Sequence, residues 1–173
     1  MGTIDERVGQ VVRQLRDALA RQYAADFQAD CPQELRPGAT EAELAGVRAA
    51  LGGAIPPSYA AFLRLHNGWL HYSGEAMLLP AGEQEAEWVR ARVAALREIL
   101  EEDDEDDVFD DAFIVQMGPH EPDFVVMKLG KRGPTGELPV VQWDLEEGEL
   151  GVFDSFLEFL EDELEAALDV DEE

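Results

Sequence analysis

Residues 51–69, LGGAIPPSYAAFLRLHNGW, constrain this chain more than any other part, because they encode a helix end, a turn, a new helix and its stop. Upstream, Thr40 and Glu43 have the spacing of a capping box, in which a hydroxyl and a carboxylate satisfy backbone donors at a helix start. Leu44, Val47 and Leu51 then fall on one helical face. Gly52 and Gly53 end that helix, since glycine readily takes the left-handed conformation that closes free carbonyls, and Pro56 cannot continue it. Pro57 suits the first position of the next helix, where an amide hydrogen would have no partner. Tyr59, Phe62, Leu63 and His66 recur at i, i+3, i+4 and i+7, which predicts one buried stripe. Asn67 and Gly68 both tolerate positive φ and are read as the stop, with Trp69 opening the next segment.

Leu51, Gly52, Ile55, Pro56, Tyr59, Phe62, Asn67 and Gly68 together resemble the signature of the SUKH superfamily, small α+β domains known mostly as bacterial immunity proteins and also found in fungal cell-wall regulators. The resemblance covers roughly residues 35–79, with an echo in the terminal SFLEFLEDELEAAL, because such domains commonly end in a helix of this kind. Arg48 departs from the pattern, standing where members usually carry an acidic residue. What the resemblance implies is an α+β domain that binds rather than catalyses. A helix hairpin in an unrelated fold is the alternative reading of the same residues.

A chain of 173 residues with 46% hydrophobic content fills one core and is short for two, so a single domain over 1–173 is expected. The start, MGTIDERVGQ, has neither a basic segment nor an apolar run, and Glu6 stands where a myristoylation motif needs Ser or Thr. No apolar run approaches membrane-spanning length. Cys31 is alone, which excludes an internal disulfide and suits a reducing compartment, so a cytoplasmic location is expected.

The net charge of −26 is unevenly placed: residues 101–173 hold 26 acidic and 3 basic side chains. In residues 101–111, EEDDEDDVFDD, only Val108 and Phe109 are not carboxylates. Such a run repels itself and stays solvated unless a cation meets it. Nucleic acid is excluded as a partner, since binding it requires Lys and Arg to displace counterions from phosphates. A basic protein surface is attracted instead.

The periodicities predict a first helix over 4–27, the signature helices and a first strand within 31–79, and a helix over 83–102 whose acidic last turn opposes the helix dipole. An acidic loop follows at 101–111, then strands near 112–117, 124–129, 138–143 and 150–153, and a final helix within 154–170. The expected architecture is α+β, with a mainly antiparallel sheet of about four to six strands and helices on one face. GKRGPTGE, near Lys128, Lys131 and Arg132, is read as a hairpin loop.

Catalytic chemistry finds little support. His66 and His71 lack the i, i+4 spacing a helix uses to hold a metal, and His120 lies in a Pro-flanked loop. Ser58 has no nucleophile-elbow context and is expected to meet backbone amides. As a calcium loop beginning at Asp103, the acid run fails, with Val108 at the glycine position and Ile114 at the final glutamate position. No enzyme, cofactor or metal is expected.

Two functions follow. In the first, the chain is an immunity protein binding a basic, nuclease-type toxin. Asp103, Asp104, Asp106, Asp107, Asp110 and Asp111 then supply the charged contact and Phe109 is a candidate anchor, or else a core residue at a strand start. In the second, the chain is a regulatory or scaffolding module binding host proteins, and the acid serves solubility. A monomer is favoured in both.

Overall fold

Local capping sets where the helices begin. In the computed structural model, which describes residues 2–170, Thr3 accepts from the Glu6 amide while the Glu6 carboxylate accepts from the Thr3 amide. Thr40 and Glu43 repeat this arrangement. The helices that follow are α1 (Ile4–Phe27) and α2 (Glu41–Ala50). Helix α3 (Pro57–Leu65) opens on its proline, and α4 (Glu87–Glu102) and α5 (Phe156–Val170) come later in the chain.

Seven strands form one antiparallel sheet in chain order: β1 (Glu34–Leu35), β2 (Trp69–Ser73), β3 (Ala76–Leu78), β4 (Ala112–Met117), β5 (Asp123–Lys128), β6 (Val140–Asp144) and β7 (Gly148–Phe153). That is one strand beyond the upper end of the expected range. The additions are β1, only two residues long, and β2, whose pairing with β3 is broken by a register shift.

Helices cover both faces of the sheet, not one as expected. Side chains alternate across a strand, so Val125 and Met127 point into a core with α1, α2, α3 and α5, while Phe124 and Val126 point into a second core with α4. A bulge between Ile114 and Gln116 shifts the parity of β4, placing Phe113 and Val115 in the first core and Met117 in the second. The uninterrupted FVVM of β5 is the sequence mark of a strand buried on both sides. The helix expected over 83–102 is divided, because a short 3-10 turn at Glu83–Glu85 ends on extended Ala86, which caps α4.

The signature residues hold the first core and its corners. Tyr59 and Phe62 are buried, and Leu51 caps α2 at its C-terminal end. Gly52 and Gly53 have φ of 83° and 110°. Asn67 does not take the positive φ expected of it; its Oδ1 instead accepts from the Ala81 amide at 2.7 Å and ties the chain after β3 to the end of α3. Gly68 does need its φ of 98°, and a Cβ there would lie 2.8 Å from Pro80 and 3.0 Å from the Leu78 carbonyl.

Ser58 is fully buried and joins two helix starts. Its amide and hydroxyl donate to the Glu137 carboxylate at 2.8 and 3.0 Å, and Oγ accepts from the Leu157 amide at 3.2 Å. Ser58→Ala therefore strands a buried amide and removes a donor to a carboxylate, and should lower unfolding free energy by about 1–3 kcal/mol in urea titration. A change within a few tenths of a kcal/mol would show that the three groups do not depend on one another.

Candidate protein-binding surface

The acidic segment is a built loop. Helix α4 closes with a Schellman arrangement, in which the Asp104 amide donates to the Glu101 carbonyl at 3.2 Å and the Glu105 amide to the Leu100 carbonyl at 2.9 Å. Asp104 takes the left-handed position with φ 58°, and Asp111, where the loop rejoins the sheet, has φ 48°. Left-handed backbone is costly for side-chain-bearing residues other than Asn and Asp, so both ends of the loop are bent by tolerated but non-optimal residues.

Between these bends the loop is pinned from inside. Phe109 is 6% exposed and stacks on Phe124 with ring centroids 4.7 Å apart. Its ring is thus in the second core and is not presented at the surface as an anchor. Lys128 reaches out of β5 and donates to the carbonyls of Val108 and Asp110 at 3.1 and 2.6 Å, and the Leu129 amide donates to the Asp111 carbonyl at 2.9 Å. Asp107 accepts from the Phe109 amide at 3.0 Å and pairs with Arg97 at 3.1 Å. With both partners about half exposed, that pair is worth well under about 1 kcal/mol, so the aromatic packing is what holds the loop.

The result faces outward with one sign of charge. Asp103, Asp104, Asp106, Asp107, Asp110 and Asp111 are all exposed, and among the described residues Asp107 alone of the six is in an ion pair. Two of the late cations are spent on backbone: Lys128 as above, and Arg132, which donates to the Leu51 and Ala54 carbonyls at 2.9 and 3.0 Å and so caps the end of α2. That cap links the GKRGPTGE segment to the signature, and no local spacing announces it.

A polar cluster not read from the sequence lies under α5. The Tyr72 hydroxyl donates to Glu163 Oε2 at 2.6 Å and the Gln142 amide to Oε1 at 3.3 Å. Burial pushes the Glu163 carboxyl above its ordinary 4.5, nearby Asp162 and Asp123 add to this, and the two hydrogen bonds only partly oppose it. Burial, followed by the charge and hydrogen bond of Glu163, raises Tyr72 as well. Below pH 4.5 the group is protonated folded or unfolded. Above that value the unfolded chain gives up the proton first, so this group's contribution to stability falls as pH rises. Glu163→Gln should therefore gain in melting temperature over the parent as pH is raised from 4.5 to 8, read by calorimetry; a pH-independent difference would contradict the assignment.

The histidines stay apart. His66 Nδ1 lies 2.9 Å from the Arg36 carbonyl, while His71 and His120 are exposed. Among the described residues no group of three or more His, Cys, Asp or Glu side chains is placed to hold a metal, and no helix is long and apolar enough to cross a membrane.

Comparison with curated proteins gives no match. The SMI1 / KNR4 family (SUKH-1) matches residues 38–162, from just before α2 to the middle of α5, and this range contains the signature turn, the loop and all of the sheet except β1. Because the match spans most of the chain and agrees with the packed signature, this protein belongs to the SMI1 / KNR4 family (SUKH-1).

Proposed function

We propose that this protein is an immunity protein, which acts in the cytoplasm by binding one cognate toxin and blocking it. Family membership supports a non-catalytic role of the immunity or regulator kind. The observation that favours a basic, nuclease-type toxin is the pinned acidic loop, with six exposed aspartates held on a fixed backbone. A nuclease must attract phosphate, and a ligand of the same sign exploits the same field. Charge at the rim accelerates encounter and selects the partner, while affinity comes from buried contacts elsewhere.

Co-expression is the test. The toxin-like domain encoded beside this chain should arrest growth when expressed alone, and this chain should restore it through a complex that copurifies. Absence of such a domain, or growth that stays arrested, would leave the regulatory module as the better reading, with the acid serving solubility.

A further inference from the structure

Beside the acidic loop the sheet has a notch. Strand β3 pairs with β4 at Gln116 and Met117, and the Leu79 amide donates to the Val115 carbonyl at 2.8 Å, after which the chain leaves the sheet and turns toward α4. Residues 112–114 of β4 therefore have a strand neighbour, β5, on one side only. The space on the other side is a groove of about 750 Å³, walled by Ala42, Gly46, Val47 and Ala50 of α2 and facing Ala81 and Gly82. It runs on past Ala112 and Ile114 into a hollow of about 310 Å³ bordered by Val89, Val93 and Phe109. The larger volume lies within the ~300–1,000 Å³ typical of ligand sites.

The walls admit a close approach. A Cβ built on Gly46 or Gly82 meets nothing within 4 Å. The Ile114 carbonyl is held by the Gln84 side chain at 3.0 Å, a bond that an incoming backbone amide can replace. The charges select the occupant. Both arginines at the hollow are already paired, Arg90 with Glu85 at 2.6 Å and Arg97 with Asp107 at 3.1 Å, and the acidic loop joins the floor where Asp111 precedes Ala112. The rim is therefore anionic above an apolar floor. Nucleic acid and acidic segments are repelled, and a second copy of this chain would bring another −26 against it.

We propose that this groove binds an extended, apolar segment of a protein partner flanked by Lys or Arg, laid beside residues 112–114 with its cations toward the acidic loop. The proposal rests on the reading of that loop as partner-facing, and supplies the apolar contact that buried Phe109 does not.

The probe is a fluorescein-labelled peptide of alternating lysine and leucine, about eight residues long, compared with its lysine–serine counterpart by anisotropy and by amide shifts in NMR. The leucine peptide should bind about tenfold more tightly, moving the amides of Gly46 and residues 112–114. Gly46→Leu and Ala50→Leu fill the groove from an exposed helix face and should abolish that preference, while Gly46→Ala keeps it. Thermal melts establish that each variant is folded. Equal binding of the two peptides by the parent, or a preference that survives in both filled variants, overturns the groove. Changing the six loop aspartates to asparagine should weaken both peptides and keep the preference; if affinities are untouched, the acidic-loop reading fails and the groove stands alone.

Discussion

Changing Asp103, Asp104, Asp106, Asp107, Asp110 and Asp111 together to asparagine should slow association with the proposed basic partner by about 10- to 100-fold at low salt while leaving dissociation nearly constant. The carboxylates are exposed, and five of the six are in no ion pair among the described residues, so most of their charge faces solvent with only Lys128 and Arg97 seated at the loop to offset it. The fold should persist. Phe109 and Lys128 hold the loop without using those side chains, asparagine tolerates the left-handed backbone at positions 104 and 111, and an amide oxygen at 107 can still accept from the Phe109 amide. Stopped-flow mixing of the parent should show the same loss on raising ionic strength, as screening shortens to roughly 8 Å at physiological salt. A rate constant that ignores both the substitutions and the salt would reduce the loop to a solubility device.

Phe109→Ala is the larger perturbation of the fold. The ring is 6% exposed, stacks on Phe124 and lies under Arg97, whose guanidinium is 6.0 Å from its centroid. Removing a buried phenylalanine costs about 3–5 kcal/mol through lost transfer energy and the cavity left behind. Here the loss falls where the acidic loop is fastened, so limited proteolysis should cut within 101–111 before the rest of the chain. Were the ring a surface anchor, unfolding free energy would move by no more than about 0.5 kcal/mol. Denaturant titration separates the two, because it needs no partner.

The parts of the fold that are local in sequence were legible. The bounds of α1 were read from its apolar periodicity, and the starts of α2 and α3 follow from Thr40 and Pro57, whose effect reaches one turn along the chain. Strand β4 appears where its apolar β-branched run lies. What was hidden depends on distant pairing. A two-residue β1 has no periodicity to read and exists because Glu34 and Leu35 find β2. The second sheet face was signalled by FVVM, yet only the position of α4 says what covers it. Ser58, Glu137 and Leu157 meet across the whole chain, as do Tyr72 and Glu163, and neither trio nor pair has a spacing that marks it. For the candidate site, charge and exposure of the six aspartates were readable from composition. The inward turn of Phe109 was readable only as one of two alternatives, and the notch beside β4 was not readable, since it arises from neighbouring strands ending at different lengths.

Helices α1 and α5 lie side by side, joined by Arg7 to Glu161 at 3.1 Å near their starts and by Gln22 to the Ala167 carbonyl at 2.6 Å near their ends. Both belong to the core on the opposite side of the sheet from α4 and Phe109. A tether, dye or solid support attached through either helix would thus leave the acidic loop unobstructed, and this chain can be immobilised as a sensor with its proposed binding side turned to the sample.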